Sequence, residues 1–478
     1  MITKQQTAWT VTDIMDATGG TLCNGGKASR FDGFSIDSRT IHPEQCFICL
    51  AGDVHDGHTF IPDIIRQGVT GIILNQEKAD QALLKILTEA GITCVAVQDT
   101  LTALGDLASF HRRRWDLSVI ALTGSNGKTT TRTMTTAVVN RRFKTLSPFG
   151  NFNNLVGVPL TLLRTRPSHA WAILELGMSF PGEIRRLGQI CLPDIGLITN
   201  IGPAHLEGLG SLEGIMNAKG EILETLSPKG RLILNADDPM VMRLARRATC
   251  KPILFGLSKN ADIRATTLEN STGAVSFQLN IPGGDIHVNL PIPGEFNVSN
   301  ALAAAAVGYC LEIPLSEIKT ALGSFIPVKG RMNILKTVHG PHLIDDTYNA
   351  NPGSVKAALN TLAGLRKKQR GIAALGDMLE LGSASGDLHT EIGGFAAATG
   401  LAKLYVTGNF ADAVKKGAIN GGMAATNIFC GSKDDIFDAL KKTIQPDDWV
   451  LIKGSRGMRM ETLVQALQAQ YGRMEGSA

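Results

Sequence analysis

The chain has 478 residues, of which 44% are hydrophobic and 19% are charged. At roughly 150 residues per domain this length predicts about three domains, and the composition excludes a disordered or collagen-like chain. The 47 basic and 43 acidic residues leave a net charge of +4. That charge is too small for a protein that must neutralise many nucleic-acid phosphates, so we expect no nucleic-acid partner.

The sequence shows no sign of a membrane segment or a disulfide framework. Its first residues, MITKQQTAWTVTDIM, lack the apolar centre of a signal peptide, and the longest apolar run, 301–311, is far shorter than the roughly 20 residues of a span. Eight scattered cysteines fit a reducing compartment. Cys46 and Cys49 have the spacing of half a zinc or redox site, but they lie in an apolar run and are expected to be buried. We expect a monomeric cytoplasmic protein.

Three regions differ in their patterning, and each predicts an α/β domain. Residues 1–116 carry short apolar runs broken by turns, which is typical of a small domain. Residues 117–328 alternate apolar runs with helical segments, as a parallel sheet with crossover helices does. Residues 329–478 repeat this alternation and predict a Rossmann-like domain. The predicted strands are 118–123, 172–175, 196–199, 231–234, a hairpin of 277–281 with 286–290, then 342–344, 371–375, 403–406 and 449–452.

A glycine turn between the strand at 118–123 and a helix is the sharpest local signal. Glycines let backbone N–H groups converge on phosphate oxygens, and the helix N-terminus adds positive potential. We expect the Lys128 ammonium to reach the terminal phosphates and the Thr129 hydroxyl to bind Mg²⁺. Leu122 stands where the strict P-loop has glycine, so this is a shorter variant, and a plain turn is the alternative. The predicted nucleotide contacts are Thr123, Gly124, Ser125, Asn126, Gly127, Lys128, Thr129 and Thr130.

Polar side chains follow other predicted strands of the central region. Glu175, His205 and Asn235 each come after an apolar run, and open α/β sheets bind ligands at the carboxyl ends of their strands. We therefore expect a shared site. Glu175 is an oxygen ligand suited to Mg²⁺, whereas Lys219 taken alone is typical of a surface lysine.

The third region repeats this arrangement. The segment 345–352, DDTYNANP, follows one predicted strand, and Lys453-Gly-Ser-Arg456 follows another. Asp-rich and Asn-rich turns are common for local reasons, so the first alone decides nothing. Lys453 and Arg456 flank a glycine turn and would suit a carboxylate or phosphate oxygen. Facing sites on two sheets predict a cleft that closes over substrates.

Together these motifs resemble those of the Mur ligases over essentially the whole chain. The resemblance implies an ATP-dependent ligase that activates a carboxylate as an acyl phosphate and then forms an amide. Among the Mur ligases, the combination of DDTYNANP, GDMLELG and KGSR resembles the member that joins D-Ala-D-Ala to UDP-MurNAc-tripeptide. The segments that carry the resemblance are DSR (37–39), TGSNGKTT (123–130), GNFNN (150–154), ELG (175–177), HLEG (205–208), KGE (219–221), GEFNVSN (294–300), DDTYNANP (345–352), GDMLELG (376–382) and KGSR (453–456).

The same resemblance implies roles for individual residues. Thr129 and Glu175 would bind a first Mg²⁺, and His205 with a carbamylated Lys219 a second. Asn297 and Asn300 would contact adenine, and Arg331 and Asp346 the ATP phosphates and ribose. The charged residues expected at the reaction itself are Lys128, His205, Lys219 and Arg331, and those expected at the substrates are Asp37, Ser38, Arg39, Asn153 and Asn154 for the UDP-sugar peptide and Tyr348, Asn349 and Arg456 for the dipeptide.

Two other interpretations remain open at this point. A different amide ligase, such as a folylpolyglutamate synthase or a Mur ligase adding one amino acid, shares the nucleotide motifs; the UDP-sugar-like region argues against the first and DDTYNANP against the second. A nucleotide-dependent switch without ligase activity is the other class, and the combination of Glu175, His205 and Lys219 argues against it. The third residue of the tripeptide, diaminopimelate or lysine, is left open.

Overall fold

The computed structural model describes residues 8–52, 55–338 and 340–472. In these ranges the strands, β1 to β22 in chain order, are Trp9–Thr10, Thr21–Asn24, Arg30–Phe31, Gly33–Ser35, Gln45–Ile48, Gly71–Asn75, Thr93–Val97, Ser118–Thr123, Thr145–Leu146, Trp171–Glu175, Ile195–Ile198, Arg231–Asn235, Ile253–Gly256, Ile263–Ser271, Ala274–Ile281, Gly284–Leu290, Asn333–Lys336, His342–Asp346, Gly371–Gly376, Lys403–Thr407, Ile428–Cys430 and Trp449–Lys453. The helices, α1 to α17, are Val11–Thr18, Ile61–Arg66, Gln81–Ala90, Thr100–Arg113, Lys128–Val139, Gly157–Leu162, Glu183–Cys191, Leu206–Leu209, Leu212–Gly220, Pro239–Ala245, Glu295–Cys310, Leu315–Gly323, Pro352–Arg366, Ser385–Ala398, Ala411–Asn420, Lys433–Thr443 and Glu461–Tyr471.

Two units can be described separately. The first runs to Val119 and includes Lys144–Gly177 and Arg185–Pro193. Its main sheet has the order β2-β7-β6-β5-β4, with β2 antiparallel and the others parallel. Cys46 lies in β5 and Cys49 just after it, both almost fully buried, and burial raises the pKa of the Cys46 thiol. The expectation of two buried cysteines is confirmed.

The second unit contains Ile120–Phe143, Met178–Ile184 and the chain from Asp194 onward. Its central sheet runs β16-β15-β14-β13-β12-β11-β8. The strands from β8 to β14 are parallel, and β14, β15 and β16 form an antiparallel edge. The predicted hairpin is therefore present, but it has a third strand, β14, that the sequence pattern missed.

The longest apolar run of the sequence lies in helix α11, a buried helix beside α5. Its alanines and leucine from 301 to 307 have no exposed surface. Gly308 allows close approach, because a Cβ there would lie 2.9 Å from a side-chain carbon of Val138 on α5. In the ranges that the structure covers, no helix is both long enough and apolar enough to cross a membrane.

The last sheet of the second unit has the order β17-β18-β22-β19-β20-β21, and only β17 is antiparallel. Residues such as Ile372, Leu451 and Ile452 in its central strands are fully buried, which explains their uninterrupted apolar runs. Helix α13 begins at Pro352, two residues before Ser354, because Asn351 forms a capping box with Ser354 and proline suits the first helical position.

Candidate functional site

The turn between β8 and α5 has the geometry of a phosphate-binding loop. Gly124 and Gly127 have φ values of 153° and 78°. A Cβ on Gly124 would lie 1.9 Å from Thr199 Oγ1, and one on Gly127 would lie 2.2 Å from Asn300 Oδ1. Glycine is therefore needed at both positions, since no other residue leaves this space to its neighbours.

Residues directly after strand β11 hold the loop through hydrogen bonds. The N–H groups of Ser125 and Asn126 donate to the backbone and side-chain oxygens of Asn200, at 2.9 and 2.8 Å, and Thr199 Oγ1 donates to Asn126 O at 2.7 Å. These two amides are thus used within the protein. The N-terminus of α5, where Lys128, Thr129 and Thr130 begin the helix, is the positive end that faces a bound anion.

Lys128 and Thr129 make specific contacts at the start of α5. Lys128 Nζ donates to Gly124 O at 2.8 Å, which folds the ammonium back over the loop. Thr129 Oγ1 accepts a hydrogen bond from Arg331 Nη2 at 3.1 Å. Arg331, predicted at the ATP phosphates, therefore reaches the phosphate loop from the third region of the sequence. Thr123 and Thr130 are buried beside these contacts.

Two residues of the DDTYNANP segment contact Arg331 or the residue that follows it. The Arg331 guanidinium lies 4.1 Å from the centre of the Tyr348 ring, a stabilising cation–π arrangement. Asp346 Oδ1 accepts a hydrogen bond from the N–H of Met332, the next residue, at 3.2 Å. The structure thus brings together Arg331 and Asp346, predicted to contact ATP, with Tyr348, predicted to contact the dipeptide.

One residue of the DDTYNANP segment bonds directly to the phosphate loop. Asn351 Nδ2 donates to Asn126 Oδ1 at 2.8 Å, and the same Asn351 caps helix α13. The sequence analysis did not identify Asn351 as a site residue. Its only local signal was an asparagine before a proline, the pattern of a helix start.

Asn297 and Asn300 use their amide groups within the protein. Asn297 Nδ2 donates to Pro293 O at 2.7 Å, and Asn297 Oδ1 accepts from Asn300 Nδ2 at 3.1 Å. Asn300 Oδ1 accepts from Thr131 on α5 at 3.1 Å. In this arrangement both asparagines position α11 against α5, and their predicted adenine contact stays a prediction.

A cavity of about 450 Å³ opens beside the first turn of α11. Its lining combines amides and hydroxyls with apolar groups, the mixture expected of a small-molecule site. The lining residues are Asn235, Asp237, Leu257, Asn270, Pro293, Gly294, Glu295, Phe296, Ser299, Ala357, Asn360, Thr361, Gly364 and Leu365. Of these, the sequence analysis noted Asn235 and, within the segment GEFNVSN (294–300), Gly294, Glu295, Phe296 and Ser299.

His205 and Lys219 lie on the segments that follow β11. His205 has a left-handed backbone, φ 60°, and its Nδ1 lies 2.5 Å from Glu380 Oε2 in the GDMLELG loop. This pairing holds the pKa of the Glu380 carboxyl below its ordinary value. Lys219 lies on α9 and is only 1% exposed, so the expectation for a lone lysine, a surface position, is wrong.

Glu175 and its neighbours belong to the first unit. Glu175 ends β10 and is 3% exposed; its Oε1 accepts from Asn153 Nδ2 at 2.9 Å. Asn154 Oδ1 accepts the N–H of Gly157 at 2.9 Å at the start of α6. Asn153, predicted to contact substrate, is therefore placed beside the carboxylate predicted to bind a metal ion.

Asp37, Ser38 and Arg39 form an exposed turn in the same unit. Arg39 donates to both carboxylate oxygens of Asp37, at 2.8 and 2.7 Å. These bonds to the ionised form lower the pKa of Asp37 to about 2. Ser38 contributes its carbonyl, which accepts from Gln67 at 2.8 Å.

Two cations of the KGSR turn, Arg456 predicted at the dipeptide and Lys453 considered for a carboxylate or phosphate oxygen, differ in burial. The Arg456 side chain is 65% exposed and pairs with Glu461 at 3.1 Å. Lys453, by contrast, is 2% exposed, and its Nζ donates to Asn349 O at 2.8 Å and Asp346 Oδ2 at 2.6 Å. The idea that Lys453 binds a substrate oxygen is therefore wrong in this arrangement, because its donors are used by the protein.

Family models match three stretches of the chain. The one described as the Mur ligase middle domain matches residues 122–308, the Mur ligase glutamate ligase domain matches 330–456, and the Mur ligase family catalytic domain matches 30–112. The UDP-N-acetylmuramoyl-tripeptide–D-alanyl-D-alanine ligase of Escherichia coli (strain K12) is 34% identical over 461 residues, 96% of this chain and 98% of that protein.

Two solved structures extend this similarity to the fold. A crystal structure of MurF from Acinetobacter baumannii has a TM-score of 0.88 and 33% identity, covering 97% of this chain and 99% of that one. MurF ligase from Thermotoga maritima in complex with ADP has a TM-score of 0.81 and 25% identity, covering 92% and 97%. The expected α/β fold of three domains is confirmed, and the boundaries at 116 and 328 stay predictions.

The left-handed conformation at Gly127 predicts a large effect of a single methyl group. Gly127→Ala should weaken ADP binding about tenfold or more, because an L-residue at positive φ costs roughly 1–2 kcal/mol and its Cβ displaces Asn300. Isothermal titration with ADP measures this. Gly386→Ala is the matched control, since a Cβ at Gly386 meets no atom within 4 Å; equal affinities of the two variants would contradict the argument.

The geometry of the Asp37–Arg39 pair predicts that the pKa of Asp37 depends on the Arg39 side chain. Because Arg39 stabilises the ionised carboxylate, Arg39→Ala should raise the pKa of Asp37 from about 2 towards the unperturbed value of 3.8. A titration of the carboxyl carbon by NMR checks this, with Arg66→Ala as a control at another exposed arginine. An Asp37 pKa that stays near 2 in Arg39→Ala would show that other groups set it.

Proposed function

The chain belongs to the Mur ligase family, whose members are ATP-dependent amide ligases, and we propose that it joins D-alanyl-D-alanine to UDP-N-acetylmuramoyl-tripeptide. A carboxylate oxygen of the tripeptide attacks the γ-phosphorus of ATP, and ADP leaves. The dipeptide amine then attacks the acyl phosphate carbon, phosphate leaves, and the amine loses a proton. The products are UDP-MurNAc-pentapeptide, ADP and phosphate, in peptidoglycan synthesis.

The observation that carries this proposal is that Arg331 and the DDTYNANP segment both contact the phosphate loop or the start of α5. Arg331 and Asn351 reach Thr129 and Asn126 at 3.1 and 2.8 Å. The acyl phosphate must form at the nucleotide and be attacked by an amine bound close by, so the two sites must adjoin. The 345–352 segment, which carries Tyr348 and Asn349, supplies that neighbouring site.

Positive groups around the loop suit the first step. A carboxylate and a triphosphate repel each other, so cations must offset their charge as the new P–O bond forms. Lys128 is the first residue of α5, and the Arg331 side chain reaches Thr129 beside it. Both cations can bind the phosphate oxygens. Tyr348 supports Arg331 through its ring, which keeps the guanidinium aimed at the loop.

The nucleotide base has a separate place. The cavity beside α11 lies next to Gly294, and Asn300 of the same helix touches the phosphate loop. We place the adenine in this cavity, with Asn360 and Thr361 on the opposite side as further contacts. Asn297 and Asn300 then act by fixing α11 rather than by binding the base through both amides.

Three residues of the second unit are proposed to bind magnesium ions. The Thr129 hydroxyl stands at the helix start that binds phosphates, and His205 with a buried Lys219 lies on the following segments. A carbamate on Lys219 would replace its positive charge with oxygen ligands, which Mg²⁺ prefers. Bound Mg²⁺ would neutralise phosphate charge, and two such ions are proposed. Glu175, in the first unit, is kept as a proposed ligand on the family resemblance alone.

The proposed reaction predicts a strict substrate requirement. Phosphate should be released only when ATP, UDP-MurNAc-tripeptide and D-Ala-D-Ala are all present, as a coupled phosphate assay measures, with the pentapeptide identified by mass spectrometry. Single amino acids and folate with glutamate are the comparison substrates. Release with one of these instead of the dipeptide would assign the chain to a different ligase reaction.

If Lys219 is carbamylated, a small carboxylic acid should restore activity to a variant that lacks this lysine. A lysine with only a structural role would not be replaced in this way. Lys219→Ala should lower kcat about 100-fold or more, because charge stabilisation at the reacting phosphate is lost. Added acetate or formate should restore part of the activity by supplying the missing carboxylate. Lys229→Ala, at an exposed lysine, is the matched control. Full activity of Lys219→Ala without added acid would refute the carbamate.

A further inference from the structure

The end of strand β22 lies between the loop proposed to bind the dipeptide and the GDMLELG loop. β22 pairs with β18 on one side and with β19 on the other. The loop after β18 carries DDTYNANP, and the loop after β19 carries GDMLELG. Since the carboxyl ends of parallel strands meet at one edge of a sheet, the KGSR turn after β22 can contact both loops.

Ser455 bonds to both of these loops at once. Its hydroxyl donates to Ala350 O at 3.1 Å and accepts the N–H of Leu379 at 2.9 Å. Its own N–H donates to Asp377 O at 3.0 Å. The side chain is 3% exposed. A hydroxyl suits this position because it can donate and accept at the same time, and without it the Ala350 carbonyl and the Leu379 amide would both lose this partner.

Lys453 shares the DDTYNANP loop with Ser455, but it reaches Asp346 in that loop instead of the GDMLELG loop. Its ammonium bonds to Asp346 and to Asn349 O at 2.6 and 2.8 Å, both in the DDTYNANP loop. The Asp346 carboxylate in turn accepts the N–H of Met332, which follows Arg331. The Asp346 side chain is 14% exposed, and a largely enclosed carboxylate without its cation would be costly, so Lys453 controls the position of Asp346 and, through it, of Arg331 at the phosphate loop.

We propose that Ser455 and Lys453 are positioning residues with separate targets in the ligase reaction. Ser455 sets the spacing of the two loops between which the incoming dipeptide binds. Lys453 sets Arg331 against the nucleotide. This inference rests on the proposed function, because it takes the acceptor of the acyl group to be a dipeptide held by these loops.

Ser455→Ala separates the dipeptide site from the nucleotide site. We expect KM for D-Ala-D-Ala to rise about five- to tenfold, the effect of roughly one hydrogen bond, while KM for ATP stays within about twofold. Hydrogen exchange of the peptide that contains Leu379 should become faster, because that amide loses its acceptor. This exchange is measured on the full chain without substrates.

Lys453→Met should affect the nucleotide site, because it removes the charge that holds Asp346. Methionine keeps most of the side-chain volume. We expect KM for ATP and the dissociation constant for ADP, measured by titration calorimetry, to rise about tenfold. Exchange at Leu379 should be unchanged. Ser316→Ala, at an exposed serine of α12, is the control and should match the natural enzyme in every measurement.

Either of two results would overturn the inference. One is a Ser455→Ala enzyme with normal KM for the dipeptide and normal exchange at Leu379. The other is an equal rise of both KM values in both variants, which would mean a general loss of structure. If the natural enzyme releases no phosphate with D-Ala-D-Ala, the proposed function fails, whereas exchange at Leu379 and ADP affinity still decide whether the two residues have separate targets.

Discussion

The phosphate loop keeps its shape because side chains occupy the space that its glycines leave empty. Asn300 stands where a Cβ on Gly127 would be, and Thr199 stands where one on Gly124 would be. Both side chains also bond to the loop or its helix: Thr199 to Asn126 O and Asn300 to Thr131. The glycines of the loop and the polar side chains that pack against them therefore depend on each other.

This arrangement also determines what the third region can contribute. Because Asn126 is held from the β11 side, its side-chain oxygen is directed to Asn351, and Thr129 at the helix start receives Arg331. A cation brought to the phosphates by a second sheet offsets repulsion between two anionic reactants. The same sheet also carries the loop proposed to bind the amine, so in the proposed reaction activation and attack take place at adjoining sites.

Much of the fold follows from the sequence, because parallel strands buried on both faces give uninterrupted apolar runs. The strand ends at Thr123, Ile198 and Asp346 were predicted to within about two residues for this reason. Strand β14 was missed because its sequence, IRATTLENS, is polar and half exposed, which resembles a loop. The phosphate loop was found because its glycines and lysine are adjacent in the chain.

The long-range contacts that complete the site could not be predicted from the sequence. Lys453 and Asp346 are 107 residues apart, and a lysine after a strand looks the same whether it faces substrate or a buried carboxylate. Asn297 and Asn300 show the same ambiguity, since an amide that binds adenine and one that holds two helices together need the same residue. Only the packing of distant segments decides between these roles.

The contacts between the central sheet and the last sheet have a consequence for how substrates enter. They include Arg331 with Thr129, Asn351 with Asn126 and Glu380 with His205, and all of these are polar. An exposed ion pair contributes roughly 0.2–1 kcal/mol and a hydrogen bond roughly 0.5–1.5 kcal/mol. These contacts by themselves therefore allow the two sheets to separate at low cost, and bound phosphates add the attraction that the polar pairs lack. An enzyme that must admit two large substrates and then exclude water from an acyl phosphate needs this balance.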